Sequence, residues 1–369
     1  MQSFRKIIIL FMLLIVVGTL YKRFEDKRRK DESLENNNAI EQFLLERTKL
    51  SKSNKPILWI HVPFEYNSRK WSSFGSRSSW DLNQPYLYLT VKSIINKCSS
   101  DFTISIIDDS TFKRLIPSWN IDMSLISKPI VENIRQLGMM RLLYIYGGLI
   151  CPLSFLCMKN LNDLYINGTS NDHMFICETV DRNITSTTQQ FYPSLTFCGA
   201  NKENKTVSNL IDFMQRVTST DYTAEVNFLG QFDKWCKQRI SEGTIHLIDG
   251  KNVGVKNVDN RPILIEDLMS TQYLNLYPKT YGILIPRDSL LNRLKYEWFT
   301  RMSSKQVMES DVIIGKYLLL YNSPDKDEGI IEPVELVPNW ISFWKTPLYN
   351  GLYGLKPKGL GDNLLRLTS

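Results

Sequence analysis

Histidine is scarce in this chain. Only His61, His173 and His246 occur in 369 residues, and no two of the six cysteines stand as a CxxC pair. Structural zinc sites draw their ligands from such clusters, so the pattern excludes a zinc-stapled domain. Excess charge is also missing once the first thirty residues are set aside. Those residues carry a balance of +6 out of the overall +7, which leaves +1 for everything after Lys30. A nucleic-acid-binding domain needs a basic face, and none is legible here. Internal repeats are absent, which argues against a solenoid.

Long apolar runs are missing too, with one exception. Residues 7–21, IIILFMLLIVVGTLY, lie between Arg5-Lys6 and Lys22-Arg23. As a helix this run reaches roughly 22 Å, against a hydrocarbon core of about 30 Å. Flanking Lys and Arg extend the reach by snorkelling, so residues 1–21 read as a single-pass N-terminal anchor. The flank KRFEDKRRK is more basic than MQSFRK, which by itself places the following domain in the cytosol. Sequons at Asn167, Asn183 and Asn204 leave a lumenal orientation open. Residues 22–54 are a charged, Asn-rich stem with helical spacing in AIEQFLLERTKL. Cys98, Cys151, Cys157, Cys177, Cys198 and Cys236 stand in apolar surroundings and read as buried thiols.

From residue 55 onward, strand-like and helix-like stretches alternate. PILWIHVPF reads as a buried strand, QPYLYLTVKSIINKC as a helix, and FTISIID as a strand closing on Asp108-Asp109. KPIVENIRQLGMMRLLYIYGG reads as a helix stopped by its glycines. LICPLSFLC then reads as one strand, placed near the centre of the sheet. HMFICETV and SLTFCGA follow as strands, with a helix near residues 207–217. Beyond residue 250 come the strand-like TYGILIPRD and two helix-like stretches, SLLNRLKYEWFTRM and ESDVIIGKYLLLY. This alternation predicts an α/β domain with a mainly parallel sheet over 55–250, extended by residues 251–369 packed on the same domain.

KPILWIH and LLYIYGGLI carry a resemblance. The first resembles the opening strand, and the second the helix–Gly-Gly–strand segment, of sugar transferases with the GT-A fold, of the glycosyltransferase family thirty-two and capsular-polysaccharide-synthesis type. The YGG…P-x-S-F-x-C form is also similar to that of copies carried by large DNA viruses. The resemblance covers about residues 55–160. It implies a Rossmann-like GT-A sandwich and a nucleotide-sugar donor. In those families the strand after the glycines carries Asp-x-Asp, which holds a divalent metal on the donor diphosphate. Here the two positions are Pro152 and Ser154, so no divalent metal is expected. The preceding helix carries Asp-x-x-Arg in those families, and here these positions are Gln136 and Met139.

The candidate nucleotide-sugar-binding residues are Asp108, Asp109, Arg141, Gly147, Gly148 and Ser154. Asp108 and Asp109 close a strand whose carboxyl end lines a ligand crevice in open α/β sheets. The competing use of Asp109, with Ser110, is a helix N-cap. Lys55 and Arg135 are further cations near these segments. His61 reads as a core histidine, Glu178 and Asp181 as solvated loop acids, and Trp340 and Trp344 as packing for the tail. Two functions follow. One is a membrane-anchored glycosyltransferase moving sugar from a nucleotide sugar to a glycan or protein. The other is a non-catalytic relative that binds nucleotide sugar, glycan or a partner protein. A membrane-anchored α/β protein unrelated to sugar transfer is the third reading.

Overall fold

The computed structural model describes residues 55–63, 84, 86–123, 126, 130–180, 191–220, 225–292, 295–300, 302 and 304–323. The anchor, the stem, Asp181, Asn183, Trp340 and Trp344 lie outside the described residues. No helix among the described residues is long and apolar enough to cross a membrane.

Strand β1 (Ile57–His61) is buried along its length except at His61, as a strand covered on both faces must be. It is followed by α1 (Tyr86–Cys98), β2 (Thr103–Ile107), α2 (Thr111–Leu115) and α3 (Ile130–Tyr146). Next come β3 (Gly148–Ile150), β4 (Phe155–Cys157), α4 (Asn162–Gly168), β5 (Met174–Val180) and β6 (Phe191–Ala200). Two long helices, α5 (Lys205–Thr220) and α6 (Glu225–Ser241), precede β7 (Ile245–Ile248). Beyond them lie α7 (Ile265–Leu268), β8 (Gly282–Leu284), α8 (Arg287–Asn292), α9 (Glu297–Thr300), α10 (Ser304–Met308) and α11 (Ile313–Asn322).

Six strands form one sheet in the order β2-β1-β3-β6-β5-β7. β1 pairs in parallel with β2 and β3, and β5 with β7, while β6 runs antiparallel between β3 and β5. Five strands therefore share one direction. The chain is an α/β protein with a mixed central sheet, consistent with a Rossmann-like fold.

The register sorts the core into two layers. Trp59, Ile150, Cys198 and Ile176 stand opposite one another across four strands and face a cluster with Phe112, Leu142, Leu143, Leu210, Met214 and Trp235, from α2, α3, α5 and α6. Leu58, Leu149, Gly199 and Phe175 line the opposite face. That face meets α4, whose Gly168 lets the Phe175 ring approach, and Phe155 of β4, whose ring meets Phe197 edge-on at 4.9 Å.

The single strand expected over residues 149–155 is two strands. β3 ends at Ile150, the chain turns with Phe155 N donating to Pro152 O at 3.1 Å, and β4 pairs with β8 in a separate antiparallel ribbon. Pro152 supplies the reason. It has no N–H to continue the ladder, so the chain leaves the sheet there. The stretch expected as one helix around residue 293 is likewise two short helices, α8 and α9, the second held by Phe299 packing on Tyr86 at 5.4 Å.

Candidate functional site at the carboxyl edge of the sheet

The carboxyl ends of β1 and β2 bring His61, Asp108 and Asp109 side by side, because His61 stands opposite Ile107 in the parallel ladder. The Asp109 carboxylate is the centre of a cluster. His61 Nε2 lies 2.9 Å from its Oδ1. Arg135, from α3, donates through Nε to both oxygens at 3.0 and 3.1 Å and through Nη2 to Oδ2 at 2.8 Å. Arg135 Nη1 also donates to Glu132 at 2.6 Å. Burial works against the Asp109 anion, but the bonds and charges of His61 and Arg135 outweigh it and hold the carboxyl at about 2. The His61 ring stacks on Phe112 at 5.4 Å with 9° between the planes.

This geometry sets the tautomer. A carboxylate only accepts, so Nε2 of His61 carries the proton and donates. In the neutral ring Nδ1 is then an acceptor, and it makes no hydrogen bond among the described residues. Asp108 has a different task. Its Oδ1 accepts from Thr111 N at 2.9 Å, from Thr111 Oγ1 and from Ser110 Oγ, which caps α2. Burial opposes the Asp108 anion, and these bonds still hold its carboxyl below the ordinary value. The expected cap was Asp109 with Ser110. It is Asp108 instead, because Asp109 turns toward Arg135 and the Ser110 side chain caps nothing. Asp108 Oδ2 makes no hydrogen bond among the described residues.

The loop that holds Pro152 and Ser154 leaves the sheet at the same carboxyl edge, since Cys151 N donates to Trp59 O at 2.9 Å. The loop is tied down. Thr90 Oγ1 donates to Leu153 O at 2.7 Å, and the buried Ser154 hydroxyl donates to Ile285 O at 2.8 Å. Among the described residues, no group of three or more His, Cys, Asp or Glu side chains is placed to hold a metal ion.

The other candidates stand elsewhere. Gly147 and Gly148 are at the amino end of β3, across the sheet from Asp108 and Asp109. Both have positive φ, +71° and +110°, which favours glycine. A Cβ on Gly148 would collide with the Ile57 carbonyl, and one on Gly147 would crowd Lys202 N. Gly147 N is already given to Leu143 O at 2.8 Å, and Trp59 Nε1 donates to Gly147 O at 3.0 Å. The pair closes α3 and lets β1 and β3 approach. Arg141 lies over the Trp119 ring, 5.6 Å from its centroid. Lys55 sits at the amino edge and donates to Ser100 O.

A second charged pair, read from sequence as a solvated loop acid, is buried at the same carboxyl edge. Glu178 Oε2 accepts from Lys256 Nζ and from Gly250 N, and Lys256 also lies over the Phe191 ring at 4.4 Å. The side chains of the pair are only 10% and 14% exposed. β5 stands three strand spacings, roughly 14 Å, from β1. The sequence reading named Arg135 only as a nearby cation and did not name Lys256. Arg135 stands one helical turn before Met139, on the same face of α3, so i to i+4 spacing could have found it. Nothing near Lys256 in sequence announces Glu178, seventy-eight positions away.

Comparisons of the chain with family models, curated proteins and solved structures return no match.

Proposed function

We propose that this chain is a GT-A-like relative of the sugar transferases, anchored in a membrane through residues 7–21, that binds the nucleoside part of a nucleotide sugar without transferring the sugar. One observation carries the reading. Asp108 Oδ2, an acceptor, and His61 Nδ1 make no hydrogen bond among the described residues, and they stand at the carboxyl ends of adjacent parallel strands, where open α/β sheets bind ligands. A carboxylate oxygen beside an imidazole nitrogen suits a ribose diol or a base edge. The charge around them does not suit a diphosphate. The Arg135 guanidinium is already engaged by the Asp109 and Glu132 carboxylates. Transfer needs cations or a metal on the leaving diphosphate. Pro152 offers no ligand there, and the Ser154 hydroxyl is committed to Ile285.

Calorimetry of the full chain in detergent tests this, with uridine, cytidine, guanosine and their diphosphate sugars, in manganese and in EDTA. Binding should be equal in the two buffers for the nucleoside and its diphosphate sugar. Asp108→Asn keeps the capping Oδ1 but turns Oδ2 into a donor, and should weaken binding at least tenfold. Manganese-dependent binding, or turnover of any diphosphate sugar with a glycan acceptor, would establish the transferase reading instead. No binding to any member of the panel would sink both.

A further inference from the structure

A groove of about 370 Å³ opens on the far side of the sheet, between α4 and the edge strand β7. It is separate from the Asp109 cluster, since β7 stands four strand spacings, roughly 19 Å, from β1. His246 points into the layer that contains α4, because it stands opposite Phe175 in the ladder. Asn167 of α4, Asn252 and Tyr281 complete the polar wall, and Leu164 contributes apolar surface.

The side chains of Asn167, His246, Asn252 and Tyr281 make no hydrogen bond among the described residues. The Asn252 and Tyr281 backbones are by contrast fastened together, Tyr281 N donating to Asn252 O at 2.8 Å, so two of the four are held on a fixed frame. Burial and the Asp163 carboxylate push the Tyr281 phenol above its ordinary range, so its hydroxyl remains a donor into more alkaline solution than an ordinary phenol.

We propose that this groove binds a neutral saccharide. The chemistry of the lining selects the class. Two carboxamides each offer a donor and an acceptor side by side, the pairing that adjacent sugar hydroxyls need. The half-buried Tyr281 ring offers apolar surface that the C–H face of a pyranose covers. Asn167 and His246 are exposed, while a purely apolar ligand would cover the half-buried Asn252 and Tyr281 polar groups without pairing them, at a cost for each. Asp249 at the rim is half exposed and pairs with Lys256 Nζ at 3.6 Å, so it presents the groove with no uncompensated charge. The volume is at the small end of ligand clefts, which fits one or two sugar rings rather than a long chain.

The test is saturation-transfer NMR on the full chain made in bacteria, where Asn167 carries no glycan, in a zwitterionic detergent that has no sugar headgroup. The probes are lactose, mannobiose and chitobiose. At least one should show saturation transfer to its ring protons, with affinity lost at least tenfold in Tyr281→Ala and in Asn252→Ala. Tyr281→Phe keeps the ring and should lose less, which separates loss of the platform from loss of the fold. Nucleoside binding at the β1–β2 edge should be unchanged in all three variants. Absence of transfer to every probe, or transfer that survives both alanine variants, would overturn the proposal.

Discussion

Replacing Asp109 by Asn removes the anion that His61 and Arg135 share. A carboxyl held at about 2, against an ordinary value of about 3.9, corresponds to roughly 2.6 kcal/mol at full strength. The Asp109 side chain is 20% exposed, so water screens part of this and about 2 kcal/mol is the better figure. The variant adds a second cost. Arg135, 7% exposed, loses the carboxylate of Asp109 and keeps that of Glu132, which is 48% exposed. Stripping one partner from a buried pair costs about 3–5 kcal/mol. The remaining carboxylate and the half-open site bring the expected loss to about 2–3 kcal/mol. Urea unfolding of the full chain and of Asp109→Asn should show that difference at pH 7. Its pH dependence has a definite sign. Because the folded value is depressed, the native chain holds this stabilisation above about pH 4 and loses it as pH falls toward 2. The gap between the two proteins should therefore close over pH 4 to 2. A gap under about 0.5 kcal/mol at pH 7 would refute the argument, as would a gap that stays constant to pH 2.5.

Gly148→Ala should cost more than about 3 kcal/mol, or prevent folding, because the new methyl meets the Ile57 carbonyl at positive φ; circular dichroism melts check this. All six cysteines are buried and reduced in the structure, and Cys98 and Cys157 approach to 3.8 Å. A thiol reagent should label none of them in the native chain and all six in guanidinium, and rapid native labelling would contradict the burial. Asn204 is 2% exposed, gives its Nδ2 to Asp172 O at 2.5 Å, and caps α5 through Oδ1 to Thr206 N and Val207 N. Asn204→Ala should lose about 1–2 kcal/mol of stability in urea unfolding. A glycan at this sequon has no room in the fold, so any chain glycosylated there should be protease-sensitive, and a resistant glycosylated form would refute the placement.

Local pattern was enough for most elements. The helix from Ile130 to Tyr146, its stop at Gly147, the buried strand ILWIH and the strand ending before Asp108 all follow from periodicity and turn chemistry, which act over a few residues. Placing Asp108 and Asp109 at a carboxyl edge was also legible, since a strand's direction is part of its sequence. The break at Pro152 was legible in principle, because a proline cannot sustain a central ladder, yet β-rich flanks on both sides hid it. Other features depend on contacts between distant segments. Asp109 prefers Arg135 to capping only because the tertiary fold brings α3 to the carboxyl end of β2. Gly148 has to be glycine because of a carbonyl ninety-one positions earlier, Ile57 O. Glu178 meets Lys256 across seventy-eight positions. The sequence by itself determined which residues could form strands, helices and turns. Tertiary packing decided which polar atoms spend their hydrogen bonds on the fold and which, like His61 Nδ1 and Asp108 Oδ2, are left for something else, because that depends on which side chains fill the space around each one.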